Sequence, residues 1–270
     1  MHPIERLRYL ARSSGADQRV LVSETADALR ALRFDPAGLV VSCRRIVERH
    51  PTSGPLWWLC AHLLTSTDPA STARELAGEI ELDPTPDHLV EALPDGATVC
   101  LVGWPDLAGE AVLQRGDLDV LAVDAFDQGS SFVRRLQRNE VSAEVVEPSG
   151  IAAAVMASDL VLVEAVAAGP ADVLAVRGSR AAASVAWVAG VPVWTVVGRG
   201  RCLPAKAFDS IVGTEVNGPD VRVPWEAEYD TVPLGLASFI ASPAGVQAAA
   251  DVVLAAECPL TPELLRSRRN

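Results

Sequence analysis

Residues 98–124 read TVCLVGWPDLAGEAVLQRGDLDVLAVD. Two short apolar runs, Thr98–Gly103 and Leu118–Asp124, enclose a stretch of helical composition, Leu107–Gln114. Runs of this length and hydrophobicity predict strands buried on both faces, and strands joined through a helix run parallel. The unit repeats downstream. Strands are expected at Ala143–Glu147, Asp159–Glu164 and Val191–Val197, and helices at Ser130–Arg138, Ile151–Ala157 and Arg180–Ala189. Residues 93–270 therefore predict an α/β fold with a doubly wound, mostly parallel sheet. Such sheets take ligands beyond the carboxyl ends of their strands. The loops to inspect are Trp104–Gly109, Ala125–Ser131, Ala165–Ser179 and Gly198–Lys206. Pro243–Leu265 reads as an Ala-rich C-terminal helix, followed by a basic tail, Arg266–Arg269, that fits a frayed, solvated end.

Upstream of Leu93 the pattern is helical, defining an N-terminal helical domain over residues 1–92. Ser23–Leu32 is rich in Ala, Leu, Glu and Arg, and Leu39–Val47 repeats apolar residues at helical spacing. Leu56–Leu64 is almost wholly apolar and predicts a buried helix. Asp68-Pro69 opens another that runs to Leu82, and Asp83-Pro84-Thr85-Pro86-Asp87 breaks it.

A chain of 270 residues that is 49% hydrophobic can bury a substantial core. Its net charge of −12 argues against nucleic-acid or membrane-surface binding, because phosphate backbones reward basic faces. Lys206 is the only lysine, which with the abundance of Ala and Val reads as codon bias. The five cysteines (Cys43, Cys60, Cys100, Cys202, Cys258) show no CxxC spacing and fit reduced, buried thiols. The four histidines do not pair at ligand spacing, so neither a metal nor a cofactor is expected. The N-terminus lacks a signal-peptide pattern and no uncharged run is long enough to span a bilayer, so the expected compartment is the cytoplasm.

Several short motifs, in order, carry a family resemblance. They are His50-Pro51-Thr52-Ser53-Gly54-Pro55-Leu56, Pro148-Ser149-Gly150, Asp159-Leu160-Val161-Leu162-Val163-Glu164-Ala165, Arg177-Gly178-Ser179, Gly190-Val191-Pro192-Val193-Trp194 and Tyr229-Asp230-Thr231-Val232-Pro233, with Gly245 closing the strand that follows. From His50 to Gly245 the chain resembles the alpha/beta/delta subunits of translation initiation factor 2B and the related sugar-phosphate isomerases. The resemblance implies a helical domain on a Rossmann-like domain, and a homodimer built by the latter. The apolar stretch Val232–Ile240 gives a local reason for that contact. Isomerases similar to those acting on methylthioribose-1-phosphate and ribose-1,5-bisphosphate use a cysteine and an aspartate. Their Thr-His-Cys place falls here on Val102-Gly103-Trp104, and their aspartate on Val166. Their Asn-Lys falls on Ala175-Val176, and their Glu-Ser-Arg-Pro on Asp124-Ala125-Phe126-Asp127. Tryptophan and valine cannot hold a proton, so no catalytic residue is assigned.

The remaining polar features suit an anion. Gly178 and Ser179 open a helix whose free N–H groups attract phosphate, flanked by Arg177 and Arg180. Ser130 and Ser131 stand at a neighbouring helix start, and Arg199, Arg201 and Lys206 crowd one loop. Each has a plainer alternative. Gly178-Ser179 can simply cap the helix, Asp124 and Asp127 can cap theirs, and the Arg loop can be solvated. Cys202 has basic neighbours but no acid–base partner in sequence, and Glu164 reads as a structural hydrogen-bonding residue. Trp57, Trp58 and Trp104 read as packing. The leading expectation is a non-catalytic, regulatory initiation factor 2B-like protein that binds a small phosphorylated metabolite, a nucleotide or a protein partner. The alternatives are a sugar-phosphate isomerase with a rearranged site and a structural subunit with a closed pocket.

Overall fold

The computed structural model describes residues 18–32, 34–218 and 223–265, so the Arg266–Arg269 tail lies outside the described residues. The described chain opens with the helices α1 (Gln18–Arg30), α2 (Pro36–Arg49), α3 (Gly54–Thr65) and α4 (Pro69–Glu81). Three of their starts are written in sequence. Asp35, Ser53 and Asp68 each precede a proline in the first turn and accept from the backbone N–H of Gly38, Leu56 and Ser71, respectively. Proline loses nothing there, because that N–H has no partner within the helix. α3 is the centre of this layer: Leu56, Trp58, Leu59 and Leu63 are fully buried. Asp83–Asp87 does end α4, but the next helix, α5 (Thr85–Ala92), begins inside the expected break. Asp83 holds its first turn, accepting from the N–H and hydroxyl of Thr85 at 3.0 and 2.6 Å. Leu89 and Leu93 then pack into the core of the sheet.

The sheet contains β1 (Thr98–Val102), β2 (Asp119–Val123), β3 (Ser142–Val146), β4 (Leu160–Ala168), β5 (Asp172–Val176), β6 (Val193–Val196), β7 (Tyr229–Pro233), β8 (Phe239–Ser242) and β9 (Gly245–Ala248). Its order is β3-β2-β1-β4-β6-β8-β9, parallel up to β8, with β9 antiparallel at the edge. The helices between strands are α6 (Leu107–Arg115), α7 (Gln128–Arg138), α8 (Ile151–Met156), α9 (Ser179–Ala189) and α10 (Ala205–Glu215); α11 (Pro262–Leu265) follows β9. Alternate side chains of each parallel strand enter different cores. Val99, Leu101, Leu160, Leu162, Trp194 and Val196 face α5, α6 and α7. Cys100, Val102, Val161, Val163 and Val193 face α8 and α9. Double burial is why these strands read as continuous apolar runs.

Two expectations need correction. Ala165–Ser179 is not a loop: β4 continues to Ala168 and pairs antiparallel with β5, which pairs antiparallel with β7. Ala165, Ala167, Ala168, Val173, Leu174 and Ala175 are buried, and Ala167 and Leu174 join the core of the helical layer. Pro243–Leu265 is not one helix. Gly245 sits at φ +112° and opens β9 instead of closing a strand, and helix returns only at Pro262–Leu265. The stretch carries helix-forming alanines, but the antiparallel pairing with β8 outweighs that preference.

The helical layer meets the sheet where β4 leaves the parallel ladder. Its register against β5 shifts between Ala165 and Ala167, and the carbonyl of the extra residue, Val166, points at the start of α3. A Cβ on Gly54 would lie 2.8 Å from that oxygen and 3.1 Å from Arg201 Cα. Both are backbone atoms and cannot step aside. Gly54→Ala is expected to cost roughly 1–3 kcal/mol of stability, the range for overpacking, measured by urea denaturation.

Candidate functional site

The strand order reverses between β1 and β4, and a crevice opens there at their carboxyl ends. It holds a cavity of about 80 Å³ lined by Gln18, Val102, Trp104, Glu164, Val166, Ser179 and Arg201, among others. Ligand pockets usually enclose ~300–1,000 Å³. Trp104 and Val166, which stand where the resemblance puts the isomerase cysteine and aspartate, both form its wall. The Trp104 ring packs 5.9 Å from Phe132, with the Arg135 guanidinium 5.8 Å from its centroid.

Glu164 has the structural role expected of it. Its carboxylate accepts from the N–H groups of Asp106 at 3.2 Å and Ala108 at 2.9 Å, at the start of α6. Arg201 Nη1 donates to the same carboxylate at 2.8 Å and to the carbonyl of Ala165. The two side chains are only 8% and 4% exposed. Burial works against the Arg201 charge, but the carboxylates of Glu164, Asp106 and Asp83 outweigh it and raise the guanidinium pKa. Arg201 thus commits its Nη1 donor inside the fold.

The start of α9 follows the same rule. Gly178 sits at φ +100°, and its N–H donates to Asp230 Oδ2 at 2.8 Å; the N–H of Arg180 donates to the same oxygen at 3.3 Å. A carboxylate from β7 therefore occupies the N-terminal end of the helix. The Arg180 guanidinium turns to the carbonyl and hydroxyl of Thr231, at 3.1 and 3.4 Å. Arg177 donates to the carbonyl of Trp225 and stacks 4.6 Å from the Phe126 ring. Ser179 is different. It is 2% exposed, borders the cavity, and among the described residues neither its hydroxyl nor its N–H has a hydrogen-bond partner.

At α7 the capping is done by Asp124, which accepts from Gly129 N–H at 2.9 Å and Ser130 Oγ at 2.8 Å; Asp127, at φ +61°, makes no side-chain cap. Ser131 donates to the carbonyl of Asp127. Arg199 is held by Glu257 at 3.0 Å, and the N–H of Gly200 by the other oxygen of Glu257 at 2.9 Å. Lys206 is exposed on the first turn of α10. Gly178, Ser179 and Arg201 are thus gathered at or beside the crevice, whereas Ser130, Ser131, Arg180 and Arg199 are directed to other partners. Cys202 is buried, and desolvation first, then Glu257 and Cys258, push its thiol pKa up to about 12. A reactive thiolate is not favoured there. Among the described residues no group of three or more His, Cys, Asp or Glu is placed to hold a metal.

Sequence reasoning missed Asp230, Glu257 and Asp83 as partners of these cationic and amide groups. Asp230 lies in the Tyr-Asp-x-x-Pro motif, which was the available signal. Glu257 had none, since it lies 58 residues from Arg199.

Removing Glu164 would leave the Arg201 charge buried and unpaired. Glu164→Ala is expected to lose about 3–5 kcal/mol, and the double variant Glu164→Leu/Arg201→Met to recover most of that loss, because a buried pair contributes less than its breakage costs. Urea denaturation of the three proteins measures both effects.

No protein-family profile and no curated protein matches the sequence. Solved structures do. A translation initiation factor eIF-2B from Pyrococcus horikoshii OT3 superposes with a TM-score of 0.76 at 14% identity, covering 90% of this chain and 96% of that one. A chain of the tetrameric eIF2B-beta2-delta2 complex from C. thermophilum gives 0.69 at 16% identity, covering 92% and 90%. The delta subunit of eIF-2B from A. fulgidus gives 0.61 at 15% identity, covering 92% and 88%. At these identities the likeness is one of architecture, and it extends over the helical layer and the sheet alike. This chain has the fold of the initiation factor 2B subunits.

Proposed function

We propose that this chain is a non-catalytic initiation factor 2B-like subunit that acts through protein contacts, its ligand crevice closed by its own side chains. The observation that carries this reading is Asp230 on the N–H groups of Gly178 and Arg180. A helix start is an anion site only while its N–H groups are free, and a phosphate there would also meet the charge of Asp230. The small cavity and the commitment of Arg201 to Glu164 point the same way. So does Trp104, since neither it nor Val166 can shuttle a proton between adjacent carbons. Thermal denaturation with methylthioribose-1-phosphate, ribose-1,5-bisphosphate and nucleotides tests the reading. No stabilisation is expected, whereas a ligand at a hundred times its Kd would add about 2.7 kcal/mol. No isomerisation of either sugar phosphate is expected above a control without protein.

The free hydroxyl and N–H of Ser179 favour a second reading, in which a small polar metabolite enters the crevice. Stabilisation by one of the ligands above that is lost in Ser179→Ala would establish it in place of the first.

A protein-contact role needs a surface. Val232 and Ile240, in the stretch expected to pair two copies, are core residues at 2% exposure each. Among the bare apolar side chains on the sheet half are Met156 at the end of α8 and Trp187 and Val188 at the end of α9, exposed by 63, 62 and 86%; Trp225 and Val253 are exposed as well, and Phe239 of the Val232–Ile240 stretch is partly so. α8 and α9 pack side by side on one face of the sheet. Large apolar groups left in water mark contacts, so the homodimer is assigned to this face. The neighbour forming a tetramer of two subunit types supports an assembly role. Light scattering at micromolar concentration is expected to show a dimer for the native chain and a monomer for Trp187→Asp; a native monomer rejects the assignment.

A further inference from the structure

α10 ends at Glu215, and the chain turns back over its last carbonyls. The N–H groups of Val216 and Asn217 both donate to the carbonyl of Val212, at 3.1 and 3.0 Å. The next peptide joins Asn217 to Gly218. Asn217 is exposed, and among the described residues its carboxamide makes no hydrogen bond; nor does the N–H of Gly218. Gly218 has no side chain to shield its nitrogen, and a Cβ there would lie 2.1 Å from the carbonyl oxygen of Thr214. The turn therefore requires glycine next to an unrestrained asparagine side chain.

We propose that Asn217–Gly218 is a site of spontaneous covalent modification, at which the asparagine closes to a succinimide and is deamidated. The Gly218 nitrogen gives up its proton and attacks Cγ of Asn217, forming a C–N bond in a five-membered ring. The bond from Cγ to Nδ2 breaks, and Nδ2 leaves as ammonia with the proton. Water then adds to one of the two ring carbonyls and opens the ring to aspartate or isoaspartate. The sum is asparagine plus water giving acid plus ammonia, with no oxidant, cofactor or second protein. The rate rises with pH, because the attacking nitrogen must lose its proton.

The products bear on stability. Either acid places a negative charge at the carboxyl end of α10, where the helix dipole already presents negative charge. Isoaspartate also inserts a carbon into the main chain at a turn where Gly218 is pressed against Thr214. α10 carries Ala207, Phe208 and Ile211 into the core shared with α3, so loosening its end loosens the joint between the helical layer and the sheet.

Asn139 is an internal control. It precedes Glu140, and its Nδ2 donates to the carbonyl of Arg135 at 2.8 Å. The folded chain would be aged at mildly alkaline pH and digested, and the peptides carrying Asn217 and Asn139 followed by mass spectrometry, with isoaspartate counted by an isoaspartate-specific methyltransferase. The expected result is progressive conversion of Asn217 to a mixture of both acids, faster as pH rises. Asn139 should stay intact, and Asn217→Gln, whose longer side chain cannot close the same ring, should lose the conversion. Aged protein and Asn217→Asp should both melt below the fresh chain. The proposal is overturned if Asn217 stays intact in the folded chain while the urea-unfolded chain converts, or if Asn139 converts as fast.

Discussion

The buried pair of Glu164 and Arg201 is the point on which the architecture turns. It sits where β4 leaves the parallel sheet to become the first strand of an antiparallel extension. Glu164 satisfies two N–H groups at the start of α6, and Arg201 satisfies the carbonyl of Ala165 beside the register shift. One interaction thus ties β4, the helix after β1 and the loop after β6. Without it the β4 bulge would carry an unpaired carbonyl, and α6 would start in the crevice with unpaired N–H groups. The pair contributes little net stability for its charge, since both ions lose their water. What it supplies is a unique arrangement of three segments.

The same device recurs around the carboxyl edge. Asp230 caps α9, Asp124 caps α7, and Glu257 holds Arg199 and the N–H of Gly200. A doubly wound sheet collects helix starts and glycine turns at this edge, and in a ligand-binding relative of the architecture those groups would be left for an anion. Here much of that donor capacity is used internally by carboxylates. The acidic balance of the chain is partly a record of this, because acids placed on cationic and amide groups need no counter-ion from outside.

Stability is carried by three apolar clusters that meet along β4. Leu160 and Leu162 belong to one, Val161 and Val163 to another, and Ala167 to the core of the helical layer. The C-terminal segment closes the third side: Glu257 accepts from Arg199, Cys258 and Leu264 enter the helical core, and Arg44 donates to the carbonyl of Glu263. The helical layer is therefore held from its sheet side by α10 and β5, and from outside by the end of the chain.

The alternation of apolar strands and helices from Thr98 to Val197 was legible in the sequence because periodicity is local: a strand buried on both faces must be apolar at every position, and its helix only on one stripe. The helix start at Asp68-Pro69 was legible for the same reason, since cap and helix are a few residues apart. The β5–β7 extension and the strand at Gly245–Ala248 were not, because each is held by a partner strand and not by its own composition. Nor was the state of the candidate site. Gly178, Ser179, Arg199 and Arg201 carry the residue types of an anion site. Whether their donors are free depends on acids such as Asp230, 52 residues from Gly178. Sequence determined which donors exist and on which elements; tertiary structure decided who accepts from them, because a hydrogen bond is settled by distance in space and not along the chain.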